Sequence, residues 1–139
     1  MRFGKKLAAT AAIAALSAAG FVALPANADG AAAAPSTSLV ISEVYGGGGN
    51  SGASYKRDFI ELYNVSDQPI DLSGWQVEYF SAKSGNSGGV TQLSGTVAPG
   101  DYYLIAQAQG NGGTVDFEFD AEGKIAMGGK EGIVELSHN

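Results

Sequence analysis

Residues 43–64 read EVYGGGGNSGASYKRDFIELYN, and the fold of the chain turns on how this stretch is parsed. Gly47-Gly48-Gly49-Asn50-Ser51-Gly52 matches G-x-G-x-x-G, the pattern in which a glycine turn and a helix N-terminus hold a dinucleotide pyrophosphate. That chemistry needs a strand before the glycines and a helix after them. The strand is present in LVISEVY (39–45), but DFIELYN (58–64) alternates at a period of two and has no helical repeat. No glycine is followed by Lys-Ser or Lys-Thr, so the P-loop form fails as well. The stretch is therefore a glycine-rich connection between two strands. As a flexible loop, its length is expected to weigh little on stability.

The same grammar continues along the chain. Runs rich in Val, Ile, Tyr, Phe and Thr, bounded by turn residues, recur at 38–45, 58–64, 75–82, 90–97, 101–108, 114–119 (TVDFEF), 124–127 (KIAM) and 132–136 (GIVEL). No window of helical length keeps a three-to-four apolar spacing without a glycine. The pattern predicts an all-β antiparallel sandwich or barrel. In WQVEYF, Trp75, Val77 and Tyr79 share one face. In TVDFEFD, Phe117 and Phe119 oppose Asp116, Glu118 and Asp120, as a half-buried strand with an acidic outer side would. Pro99-Gly100 is turn chemistry, with proline fixing φ and glycine free to take a positive one.

Ahead of these runs the composition changes. Arg2, Lys5 and Lys6 precede an apolar, alanine-rich run from Leu7 to Leu24, and Pro25 leads into Ala26-Asn27-Ala28. This three-part layout predicts a secretory signal peptide over 1–28, cleaved between Ala28 and Asp29; the other reading of the run is an uncleaved anchor. Residues 29–38 (DGAAAAPSTS) lack large apolar side chains and read as a disordered leader. Cleavage leaves 111 residues, enough for one domain over 39–139, with no membrane span expected in it. It also removes three of eight basic residues and none of the fourteen acids, taking the net charge from −6 to −9. Such a surface repels phosphate backbones, so no nucleic-acid partner is expected for this domain alone. The chain contains no cysteine, so it is held without disulfides.

Few residues carry reaction chemistry. Asp116, Glu118 and Asp120 have the opening spacing of a calcium loop, but Ala121 and Met127 stand where that loop needs glycine and glutamate. They are weak metal candidates, as is Asp58 beside the glycine loop. Glu43 and Glu61 sit one step inside neighbouring strands, where a close carboxylate pair could serve acid–base work. His138, the single histidine, lies beside the chain end and is expected to be mobile. No G-x-S-x-G elbow is present. No cofactor and no catalytic residue are assigned, and the chain does not look like a self-contained enzyme.

Taken in order, Ile41-x-Glu43-Val44, Phe59-Ile60-Glu61-Leu62-Tyr63-Asn64, Asp71-Leu72-Ser73-Gly74-Trp75 and Pro99-Gly100-x-Tyr102 resemble the lamin tail domain family from about Leu39 onward. The resemblance implies an immunoglobulin-like β-sandwich and a structural role for Glu43, Glu61, Asn64, Asp71, Gly74, Trp75, Pro99 and Gly100. It implies that Trp75 is a core aromatic and that Asn64 and Asp71 cap the turn before Trp75. Bacterial members are usually exported and are thought to bind or adhere, or to position an attached enzyme. The expectation is a secreted, non-catalytic module whose partner is an extracellular protein or cell-surface ligand. The alternative is an accessory domain of a larger secreted nuclease or phosphoesterase. Family members commonly add a Val-Asp-x-Val-Gly-Tyr-like strand after the VEL-type one, which predicts either a bare sheet edge or a fragment here.

Overall fold

The computed structural model describes residues 38–139. The expected signal peptide, the Ala28–Asp29 junction and all of the leader but Ser38 lie outside the described residues.

Nine strands and no helix make up the described chain. β1 (Leu39–Tyr45) and β2 (Arg57–Asn64) flank the glycine loop, followed by β3 (Ile70–Asp71), β4 (Trp75–Phe80), β5 (Ser87–Gln92), β6 (Thr96–Val97), β7 (Tyr102–Gln109), β8 (Ala121–Glu122) and β9 (Ile133–His138). One sheet has the order β1-β2-β7-β8, another β5-β4-β9, and β3 pairs with β6 as a short two-stranded ribbon. Among the named strands all pairings are antiparallel except the short parallel contact of β7 with β8.

Alternation along the strands decides the core. Ile60 and Leu62 of β2, Tyr103 and Ile105 of β7 and Leu39 of β1 face Val77 and Tyr79 of β4, with Leu72, Leu93, Val97, Ile125 and Met127 closing the cluster. Ile60, Leu62, Leu72, Val77 and Ile105 are fully buried. Each such side chain contributes about 1.5–3 kcal/mol by leaving water. The intervening residues of β2, Phe59, Glu61 and Tyr63, turn to the outer face of the first sheet. There Tyr63 lies against Tyr102 at 4.7 Å between ring centroids. Asp101 N–H donates to the Ala98 carbonyl across Pro99-Gly100, and Gly100 has φ +68°, so the expected turn forms.

Three of the expected strands differ. The 90–97 run is two elements, because after β5 the chain leaves β4, buries Leu93 and pairs with β3. KIAM keeps its alternation, with Ile125 and Met127 buried, yet forms no strand. Its amides find side chains instead of a ladder: Ile125 N–H donates to Gln107 Oε1 at 3.1 Å and Met127 N–H to Asp58 Oδ2 at 2.7 Å. TVDFEF also forms no strand beyond one bridge from Val115 to Tyr55. Phe117 packs edge-on against Tyr55 and Phe59, outside the main core. Phe119, 40% exposed, lies under the Arg57 guanidinium. The half-buried strand predicted there is an aromatic lid over the outer face of the first sheet.

Candidate functional site

The residues singled out in the sequence mostly hold turns. Asn64, at the end of β2, is fully buried and uses its whole amide. Its Nδ2 donates to the carbonyls of Gln68 (2.8 Å) and Val97 (3.0 Å), while Oδ1 accepts from the Ser66 amide and hydroxyl. A buried amide satisfied on both ends fixes the chain path from β2 to β3. Asp71 caps the next turn, accepting from the Ser73 amide (2.9 Å) and hydroxyl (2.7 Å). Those two bonds hold its carboxyl below the usual carboxylate range. Gly74 completes that turn, and its carbonyl accepts from the Asn139 amide at 3.0 Å.

Trp75 is half-buried at the margin of the core rather than inside it. Its ring lies 5.1 Å from that of His138, which is the residue opposite it in β9. His138 is therefore part of a strand, where the sequence suggested a loose end: the β4 ladder extends to it. Its Nε2 is 3.3 Å from the Ser73 carbonyl.

Glu43 and Glu61 are cross-strand partners, as their positions predicted. They lie on the outer face of the sheet, and Ser42 Oγ donates to Glu61 Oε1 at 2.7 Å. A bulge at Ser42, between Ile41 and Glu43, puts that hydroxyl beside the carboxylate. Asp116, Glu118 and Asp120 do not converge. Asp116 pairs with Lys56 at 3.7 Å, and Asp120 Oδ2 accepts the Leu104 amide at 2.9 Å, extending the β7 edge. No group of three metal-ligating side chains occurs among the described residues.

Asp58, expected only as a weak metal candidate, has a structural role instead. It is buried in β2 and accepts from the Gly48 amide at 2.6 Å and the Met127 amide at 2.7 Å, with the Gly47 amide also turned toward it. Burial pushes its carboxyl above the ordinary value, and the Met127, Gly48 and Gly47 amides oppose that shift. One carboxylate thus ties the glycine loop to the segment before β9.

The loop itself is packed, correcting the expectation of a flexible connection. A β-carbon on Gly48 would overlap the Arg57 backbone, and one on Gly49 would overlap Gly110. Gly49 N–H donates to Tyr55 O (2.8 Å), and Gly112 N–H donates to Gly49 O (2.6 Å). Glycine is needed here because backbone meets backbone.

A second buried polar cluster is Gln107 with Thr91. Gln107 Nε2 donates to Thr91 Oγ1 at 3.0 Å, which joins β7 to β5 across the sandwich. Arg57 pairs with Glu122, joining the start of β2 to β8. Neither cluster presents an activated nucleophile. Both act as seams between elements.

These features define an immunoglobulin-like, all-β domain whose conspicuous polar residues are committed to turns and seams. The Lamin Tail Domain family model matches residues 32–136, so the chain belongs to the lamin tail domain family, a non-catalytic immunoglobulin-like fold. Comparison with curated proteins gives no match. Among the described residues no helix is long and apolar enough to cross a membrane.

Proposed function

We propose that the chain is a secreted, non-catalytic lamin-tail module that acts outside the cell by binding or adhesion. The observation that carries the reading is the commitment of Asn64, Asp71 and Asp58 to backbone amides and carbonyls. Polar side chains spent in this way make a stiff scaffold that presents loops and sheet faces to a partner. Export is supported by the basic start, the apolar run and the Ala26-Asn27-Ala28 site.

The test has two arms. Terminal sequencing of protein recovered from the producer's culture medium should begin at Asp29. Purified protein, labelled and added back, should bind intact producer cells saturably. Retention inside the cell would overturn export, and the absence of saturable binding would overturn the adhesion role. Recovery as part of a longer polypeptide with a hydrolase domain would move the role to that of an accessory domain.

A further inference from the structure

A groove of about 500 Å³ opens between the β4–β5 hairpin and the segment before β9. Its floor includes Tyr79 and Met127, and Lys83 and Lys130 line it from opposite segments. Two of the five basic residues in 38–139 therefore meet one cleft of a chain that is otherwise strongly acidic, and Glu131 is the one acid in the lining. Neither lysine has an ion-pair partner among the described residues, whereas Lys56 and Arg57 are paired with Asp116 and Glu122. The local charge is inverted relative to the domain, which concentrates anions at this cleft.

The walls are built. Gly128 N–H donates to the Tyr79 hydroxyl at 2.9 Å, and that hydroxyl donates to the Glu131 carbonyl at 3.3 Å. Asp58 fixes Met127 from behind, and Gly47 lies directly against Gly129. A β-carbon on Gly132 would overlap the Tyr79 ring, so the ring is held from the β9 side as well. The cleft thus combines two unpaired ammonium groups with an apolar floor. Lysine ammonium groups suit a tetrahedral oxyanion, read as a point charge, better than a planar carboxylate. The volume is that of a small-molecule site.

We propose that this groove binds a small phosphorylated molecule, with the phosphate between Lys83 and Lys130 and the body of the ligand against Met127 and Tyr79. The proposal rests on the reading of the chain as a binding module and gives that module a ligand chemistry. The test is titration of the full chain, followed by backbone amide resonances, with inorganic phosphate and with phenyl phosphate against chloride at matched ionic strength. Saturable shifts are expected at Gly128, Gly129 and Lys130, with phenyl phosphate the tighter of the two. In K83A/K130A the affinity should fall about tenfold or more, with unrelated resonances unmoved, while K124A should bind as the wild type. Shifts that do not saturate, or that persist in K83A/K130A, overturn the proposal. Cell binding measured in parallel separates the two readings. Binding retained by K83A/K130A leaves the module standing without its groove. Absence of cell binding by the wild type removes the module while the titration still judges the groove.

Discussion

Two glycine-bearing loops of this domain have opposite physics. Between β1 and β2, Gly48 and Gly49 are pressed against the backbones of Arg57 and Gly110, and Asp58 holds the loop from within. Between β4 and β5, a β-carbon on Gly85 would meet nothing within 4 Å, and residues 82–86 are exposed. Glycine in the first loop permits contact, whereas in the second it only permits a turn. The role of each glycine is not visible in composition, since it lies in what the rest of the fold brings alongside.

The comparison can be broken at either loop. Gly48→Ala should cost the most, about 3 kcal/mol, because its β-carbon has backbone on the far side and nothing can yield cheaply. Urea denaturation measures it, and a loss under about 1 kcal/mol would show the loop to be compliant after all. Asp58→Ala should cost about 2–3 kcal/mol, since the Gly48 and Met127 amides are left buried without an acceptor. Hydrogen exchange should quicken at both amides together. If only Gly48 responds, the loop and the segment before β9 are not joined through this carboxylate.

A smaller effect concerns pH. Asp58 has a raised folded pKa, so its contribution is full below the unfolded value near 3.8 and is lost as pH rises through the folded one. Asp71 has a lowered pKa, so its contribution is present above 3.8 and is lost as pH falls through the folded value. The stability difference between wild type and Asp58→Asn should therefore grow on acidification, and that for Asp71→Asn should shrink. Parallel pH profiles for the two variants would contradict this assignment. The smallest effect belongs to the open loop. Gly85 has φ +66°, which asparagine tolerates, and Gly85→Asn should change stability by less than about 0.5 kcal/mol. A larger loss would mean that the hairpin tip packs against something.

The parts of the fold legible in the sequence are those whose hydrogen bonds run strand to strand. FIELYN, WQVEYF and YYLIAQA were readable because a period of two with one buried face is imposed by the pleat itself. Pro99-Gly100 was readable because proline fixes its own φ and glycine alone takes a positive one without strain. Asn64 and Asp71 carried a local signal, bonding to residues two to four positions on. Asp58 carried none. Its partners lie 10 and 69 positions away, and the same residue type on a strand is commonly exposed. Trp75 was placed on the correct face, but its half-burial depends on β9 ending opposite it at His138.

By itself, then, the amino-acid sequence determined the strands, their inward faces and the tight turns, because these follow from φ restrictions and from the alternation of side chains along an extended chain. It also placed the chain in its family through an ordered set of turn and strand residues. The tertiary structure decided the rest. TVDFEF and KIAM have strand composition, yet several of their backbone groups are met by side chains and isolated bridges, and their aromatic and apolar residues fill gaps left by other elements. Whether an extended segment joins a ladder depends on which partner backbone is free beside it. That is a property of the assembled sandwich, and so is the meeting of Lys83 with Lys130, 47 residues apart, in one groove.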